Sequence, residues 1–287
     1  MERTEVIVGI DRHESHRAAL YWAAEEAARR GVGLHVIHAY RIEWPDAEYA
    51  TAETERVLAG EAKSLIDSAL YDARRHTSGL TVTGTFVRDG AAGALIDAGR
   101  TAVLTVVGSR HHVSGLTATL LGSTAQQVAL HSTGPVVVVR GRSETKTGPV
   151  AVGVDGSPGS FTALGVAFEA AAARGARLSV VRAFRPGTPA WPKDVPPPEV
   201  LNAETAHAAL YDELGRAVST WSEKFPDVGV DRLVLPGDAA KVLDDVSTGA
   251  QLVVVGSRGH GGFAGLLLGS VGGHLIHHAD CPVLIAR

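Results

Sequence analysis

The chain has 287 residues, a formal net charge of −4 and a single cysteine, Cys281. Its length exceeds that of most single domains, so we expect two domains of about 140 residues each. The slightly negative charge gives no general attraction for nucleic acid, and one cysteine excludes both an intrachain disulfide and a multi-cysteine metal site.

We expect neither a membrane span nor an export signal in this sequence. No apolar run approaches the roughly 20 residues that span a bilayer, and the N-terminal MERTEVIV lacks the apolar segment of a signal peptide. We therefore expect a cytoplasmic protein that neither crosses a membrane nor binds nucleic acid.

Strands and helices alternate along the first half of the chain. The predicted strands are EVIVGID, LHVIHA, TVTGTFVR, AVLTVVG and GPVVVVR. The predicted helices are SHRAALYWAAEEAARRG, residues 50–76, residues 92–100 and a segment that starts at Ser123. Because these strands are continuously apolar rather than alternating, they are typical of a parallel sheet with helices on both faces. The pattern predicts a doubly wound α/β domain.

The second half of the chain repeats the first. VIVGIDRHESHRAAL (6–20) matches VAVGVDGSPGSFTAL (150–164), GVGLHVIHAYR matches GARLSVVRAFR, and GPVVVVR matches CPVLIAR. A repeat this long is a duplicated domain, because the units of solenoid proteins run to only about 20 to 50 residues. We place the two domains at 1–141 and 148–287, joined by a short polar linker.

The ends of the predicted strands carry the candidate binding groups, because ligands of doubly wound sheets sit beyond the carboxyl ends of the strands. In the second half, VGVDGS places Asp155 at the end of the first strand. A carboxylate there can accept hydrogen bonds from sugar hydroxyls or from a base amine. Capping of the following helix by Asp155 is the alternative, and the residue type alone favours neither.

A glycine-rich loop, GSRGHGGFAGLLLGS, follows the fourth predicted strand of the second half. Its backbone amides are accessible to phosphate oxygens, and the helix that opens at its end attracts anions through its dipole. A merely flexible turn is the weaker alternative. The loop is not a Walker A motif, since no GK[ST] follows the glycines, and it is not a GxGxxG motif behind a first strand.

The spacing of Gly256, two residues, Gly259, nine residues and Gly269-Ser270 resembles the ATP-binding signature of the universal stress proteins. The VGVDGS start, the proline-valine finish and the tandem organisation are also similar to that family, and the likeness covers both halves. The resemblance implies five parallel strands per domain in the order 3-2-1-4-5, the adenine-nucleotide α-hydrolase-like arrangement. It also implies pairing of the domains through their last strands, within one chain and in a homodimer.

An ATP site, with or without Mg²⁺, is implied by the same resemblance. Asp155 would lie near the adenosine, the backbone of Ala183 against the adenine edge, and the glycine loop near the ribose and phosphates. The implied residues of the second domain are Gly153, Asp155, Ala183, Gly256, Arg258, Gly259, Gly269, Ser270 and Val271. Their counterparts in the first domain are Gly9, Asp11, Ala39, Gly108, Gly122, Ser123 and Thr124.

The first domain departs from the signature, because GSRG is replaced there by GSRHH. A histidine in place of glycine adds a side chain where the backbone should approach phosphate, so we expect weaker binding. We do not interpret His111 and His112 as metal ligands, because adjacent side chains point apart. His274, His277 and His278 are interpreted as structural.

The function that we expect is an ATP-binding stress-response regulator with an unknown protein partner. In the family that the chain resembles, ATP acts more as a bound signal than as a substrate, and no residue is an evident general base. The alternatives are an ATP-hydrolysing or adenylating enzyme of the same superfamily and a nucleotide-free interaction module. Bulky substitutions at Gly256 or Gly259 are expected to weaken ATP binding while leaving the fold intact.

Overall fold

A computed structural model describes residues 5–12, 16–40, 51–88, 90–109, 121–185, 203–259 and 267–287. The histidine pair at 111 and 112 and most of the glycine loop (260–266) lie outside the described residues. The chain divides into two compact units, Met1–Glu144 and Thr145–Arg287. Each unit contains one parallel sheet.

The first unit alternates strands and helices as the sequence predicts. Its strands are β1 (Glu5–Ile10), β2 (Gly33–Tyr40), β3 (Val82–Arg88), β4 (Leu104–Gly108) and β5 (Val136–Val139). Its helices are α1 (His16–Arg30), α2 (Ala52–His76), α3 (Ala91–Ala98) and α4 (Ser123–His131). All neighbouring strands are parallel, in the order β3-β2-β1-β4-β5.

The second unit has the same order of elements. Its strands are β6 (Val150–Gly153), β7 (Leu178–Phe184), β8 (Val230–Pro236), β9 (Leu252–Gly256) and β10 (Val283–Ala286). Its helices are α5 (Pro158–Arg174), α6 (Ala203–Lys224), α7 (Ala239–Ser247) and α8 (Ser270–His278). The strands run parallel in the order β8-β7-β6-β9-β10. Both units therefore confirm the doubly wound fold and the strand order 3-2-1-4-5.

The strands differ in how far they are buried. Every residue of β5 and β10 is buried, and β4 and β9 are buried except for their last residues. By contrast, exposed and covered residues are mixed along the length of β3. The apolar runs that predicted the strands are thus the residues that helices cover on both faces.

The helix α5 shows how local sequence fixes an element of this fold. The Ser157 side chain accepts a hydrogen bond from the Ser160 amide as N-cap, and Pro158 occupies the first turn, where its missing N–H costs nothing. Gly175 ends the helix in the left-handed conformation, with φ of 58°. These groups place the first turn of α5 beside the end of β6.

An aromatic cluster holds α5 against α6. Phe168 is fully buried, and its ring stacks on Trp221 with centroids 6.1 Å apart. Gly165 makes this contact possible, because a β-carbon there would lie 2.5 Å from Cζ2 of Trp221. The glycine in the middle of α5 is therefore a packing residue.

Candidate functional site

A cleft of about 360 Å³ lies beyond the carboxyl ends of β6 and β9 in the second unit. This is the place where the strand order reverses, since β6 pairs with β7 on one side and β9 on the other. The structure brings together in its wall all the second-domain residues named from the sequence: Gly153, Asp155, Ala183, Gly256, Arg258, Gly259, Gly269, Ser270 and Val271.

The carboxylate of Asp155 accepts hydrogen bonds from the residue that precedes α5. Its Oδ1 accepts hydrogen bonds from the amide of Ser157 at 2.9 Å and from the Ser157 hydroxyl at 2.5 Å. The helix cap is Ser157, so the alternative that Asp155 itself caps the helix is wrong in detail. Asp155 instead orients the cap, and the cap fixes the carboxylate at the wall of the cleft.

Gly259 lies directly against the same carboxylate. A β-carbon on residue 259 would overlap Oδ2 of Asp155. The two oxygens of Asp155 thus face different groups, Oδ1 the Ser157 cap and Oδ2 the glycine loop. Because only hydrogen occupies the side-chain position of residue 259, the loop can approach the end of β6 this closely.

Gly256 and Gly159 make a second close contact, this time between two backbones. A β-carbon on Gly256 would lie 2.6 Å from the carbonyl oxygen of Gly159. Conversely, a β-carbon on Gly159 would lie 2.6 Å from the carbonyl oxygen of Arg258. The expectation that a bulky residue at 256 leaves the fold intact is therefore wrong, because it would push β9 away from α5.

The glycines at the ends of β1 and β6 are also packing residues. A β-carbon on Gly153 would lie 2.6 Å from Cδ1 of Leu243 in α7, and one on Gly9 would lie 2.6 Å from Cδ1 of Leu95 in α3. Both glycines line a cleft, but a leucine fills the space that each leaves. These two positions hold the sheet against the helix in both repeats.

The helix α8 begins at the cleft without a side-chain cap. Its N-cap is Gly269, and the amide of Gly269 donates to the carbonyl of Ser257 at 2.8 Å. From the sequence we expect this amide to bind phosphate. In the structure it already donates a hydrogen bond to a backbone carbonyl. Ser270, Val271 and Gly272 form the first turn and line the cleft, and their amides carry the positive end of the helix dipole.

Two arginines add positive charge at this edge of the sheet. Arg258 lines the cleft, and Arg287 directly follows β10. Burial lowers the pKa of Arg287 below its ordinary value, and the charge of Arg258 lowers it further. The sequence analysis missed Arg287, although Arg140 ends the last strand of the first repeat in the same way.

The equivalent cleft of the first unit has a volume of about 100 Å³. Of the residues named from the sequence, the exposed Ser123 is absent from its described wall. The remaining ones, Gly9, Asp11, Ala39, Gly108, Gly122 and Thr124, line it. Sequence reasoning missed His16 and Ser109, which line the same cleft.

The histidines of α8 stack on each other. The rings of His274 and His278 have centroids 4.3 Å apart, and Nε2 of His274 lies 3.3 Å from Oδ2 of Asp244 in α7. Within the described residues no group of three histidine, cysteine or acidic side chains is arranged to hold a metal ion. Among the described helices, none is both long and apolar enough to cross a bilayer.

Comparison with known proteins adds the following findings. The model of the universal stress protein family matches residues 2–140 and again 147–287. A universal stress protein of Mycolicibacterium smegmatis is 35% identical over 98% of this chain and 96% of its own length. The solved structure of a universal stress protein from Archaeoglobus fulgidus superposes with a TM-score of 0.71 at 16% identity, covering 100% of this chain and 97% of that one.

A shorter universal stress protein from Archaeoglobus fulgidus, solved in complex with dAMP, matches 49% of this chain. The match covers 100% of that protein at 23% identity, with a TM-score of 0.37.

Proposed function

The chain belongs to the universal stress protein family, and we propose that its second domain binds ATP as a regulatory signal. The observation that carries this proposal is the convergence of nine sequence-selected residues on one cleft at the switch point of the sheet. A cleft of about 360 Å³ falls in the usual range for small-molecule sites.

The phosphate end of ATP is assigned to the glycine side of the cleft. The first turn of α8 offers backbone amides and a positive dipole end, and Arg258 lines the cleft beside it. Arg287 adds a second positive charge there, and it lies close enough to Arg258 for the two charges to repel each other. A triphosphate would relieve that repulsion.

The adenosine end is assigned to the strand tips. Asp155 presents a fixed carboxylate for ribose hydroxyls or the adenine amine, and the end of β7 presents the backbone of Ala183. Asp155 is the one carboxylate among the described lining residues, so Mg²⁺ would be held mainly by the phosphates.

Slow or absent hydrolysis is part of the proposal. A general base must face the water that attacks the phosphate, but Asp155 is assigned to the adenosine end of the cleft, and its Oδ1 already accepts two hydrogen bonds. Its Oδ2 lies against Gly259. The described wall of the cleft contains no second carboxylate and no histidine.

Acid extraction of the freshly purified protein, with chromatography of the released nucleotide, tests the proposal directly. We expect about one unhydrolysed ATP per chain, and titration calorimetry on the stripped protein should recover one ATP site. A protein without nucleotide and without titration heat would contradict the proposal and favour the interaction module. Steady ADP production above that of a Gly259 variant would favour the enzyme instead.

A further inference from the structure

An imidazole ring connects the end of α2 to α1. His76 is the last residue of α2, and its ring stacks on that of Tyr21 in α1, with centroids 4.3 Å apart and 11° between the planes. Nε2 of His76 lies 2.9 Å from Oε1 of Glu25, which also pairs with Arg29. A ring stack and a hydrogen bond to a carboxylate therefore meet on one titratable side chain.

The second domain has a basic residue at the equivalent position. Lys224 ends α6 six positions before β8 begins at 230, just as His76 ends α2 six positions before β3 begins at 82. Nζ of Lys224 lies 5.2 Å from the centroid of the Trp221 ring, and Trp221 packs on α5 at Gly165. In the first domain Tyr21 stands at the position of Gly165 and supplies the ring instead. Both domains thus place the basic end of the second helix against an aromatic ring.

The two basic residues differ in how their charge depends on pH. Lysine is protonated throughout the neutral range, whereas histidine changes its charge between about pH 5 and 8. A protonated His76 gains cation–π attraction from the Tyr21 ring and a full ion pair with Glu25. The C-terminal end of α2 also favours a positive charge. A neutral ring keeps only the stack and a weaker hydrogen bond, so protonation strengthens the contact between the helices.

The other charges on this side of α1 are paired with each other. Glu26 is 1% exposed and forms ion pairs with both Arg29 and Arg30. Two carboxylates, those of Glu25 and Glu26, thus face two guanidinium groups along the last turns of α1. A protonated His76 therefore adds a positive charge to a balanced cluster and meets Glu25 directly.

The remaining titratable groups around the end of α2 lie on the helix itself and on the strands beneath it. Asp72 stands one turn before His76 and favours a positive ring, while the adjacent, exposed Arg75 leaves the helix in another direction. Arg74 donates to the carbonyl of Val82. The strands β2 and β3 add three groups with partners of their own: His35 at Thr83 and Thr85, His38 at the Ile10 carbonyl, and Arg88 at Glu55.

We propose that His76 forms a pH-sensitive contact between α1 and α2, which tightens when the imidazole is protonated and makes the stability of the first domain fall as the pH rises. Lys224 gives the second domain a similar contact without this pH dependence. The inference concerns helix packing, so it holds whether or not either domain binds a nucleotide. The side chains of His76 and Glu25 are 31% and 20% exposed, so protons reach the ring and solvent keeps the effect modest.

Hydrogen exchange of the full chain, followed by mass spectrometry, tests the proposal, because the protection of the α2 amides reports local opening of this helix. We expect His76→Gln to lower the protection factor of the last turns of α2 about threefold at pH 6 and little at pH 8, after correction for intrinsic exchange. The sign follows from linkage, since a contact that favours the protonated ring stabilises the fold only while the ring holds its proton. Lys224→Gln is the matched control and should lower the protection of α6 equally at both pH values.

A second variant separates the charge from the stack. Glu25→Gln keeps the Tyr21 ring in place and removes the carboxylate charge, so the protection of α2 should depend less on pH than in the native protein. A loss of protection in His76→Gln that is equal at the two pH values would overturn the proposal, because the ring would then act by stacking alone. Unchanged protection at pH 6, or the same pH dependence in Lys224→Gln, would overturn it as well.

Discussion

Gly259 and Asp155 are in contact across the cleft of the second domain, with Oδ2 of the carboxylate in the space that a β-carbon on residue 259 would fill. The glycine loop and the end of β6 are therefore closely packed against each other at this point. A change on one side of this contact must displace the other.

Gly259→Ala is expected to lower the affinity for ATP by about one to two orders of magnitude, because the added methyl group displaces the carboxylate from its position in the cleft. Calorimetric titration measures the change. Gly273→Ala is the matched control, since nothing lies within 4 Å of a β-carbon at that position in α8. An equal loss of affinity in both variants would show that the Gly259–Asp155 contact does not matter for binding.

Gly256→Ala is expected to destabilise the second domain by about 2 kcal/mol, because its methyl group would meet the backbone of Gly159 rather than a movable side chain. Urea unfolding followed by circular dichroism measures this loss. Gly259→Ala should be much less destabilising, since its neighbour is a side chain. Equal unfolding midpoints for Gly256→Ala and the native protein would refute the backbone contact.

Ser157→Ala is expected to cost about 1 kcal/mol of stability and also to weaken ATP binding, because it removes the helix cap and a donor to Asp155. Asp238→Ala is the control for the loss of a helix cap away from the cleft, although it also removes the ion pair of Asp238 with Arg185. Asp238 caps α7 through the amide of Ala240 at 3.0 Å, yet it is not among the described lining residues of the cleft. If the two variants bind ATP equally well, Ser157 acts on stability only.

His16→Ser places in the first cleft the residue that the second has at this position, and we expect the wider cleft to admit ATP. The number of ATP molecules bound per chain should rise from about one towards two. Dialysis with labelled ATP counts the sites. A stoichiometry that stays at one would mean that His16 does not set the size of the ligand.

The ion pair between Arg177 and Asp231 predicts a small pH dependence of stability. Hydrogen bonds from Arg177 hold the pKa of Asp231 below its ordinary value of 3.8. A depressed pKa in the folded state stabilises above the pKa of the unfolded state, and the contribution is lost as the pH falls through the folded value. Because both side chains are exposed, the effect is small.

Asp231→Asn should therefore lower the urea midpoint slightly at neutral pH, and this difference should vanish well below pH 3.8. Asp227→Asn is the control, since the exposed Asp227 has no ion pair in the described part of the chain. A difference between Asp231→Asn and the native protein that persists at low pH would exclude the charge as its cause.

The strands and their grouping into two repeats were predictable, because buried parallel strands appear in the sequence as unbroken apolar runs and the second half of the chain repeats the first. The positions of the site residues came from the spaced glycines and the strand-end aspartates. What these glycines contact was not predictable. Gly256 meets Gly159 although 97 positions separate them along the chain, and no local pattern encodes which backbone will lie opposite.

The helix cap was missed for a related reason. Asp155 and Ser157 are both good N-cap residues, and only the conformation of the turn decides that Ser157 takes the role.

The contact between Gly256 and Gly159 also limits how this sequence can change over generations. A clash between two side chains can be relieved by a second substitution that shrinks the partner, as a smaller residue at Leu243 could do for Gly153. A clash with a backbone carbonyl has no such remedy, since every amino acid carries the same carbonyl. Substitution of Gly256 is therefore disfavoured whether or not a ligand binds. A glycine conserved at this position would reflect the requirements of the fold and would not be evidence of nucleotide binding.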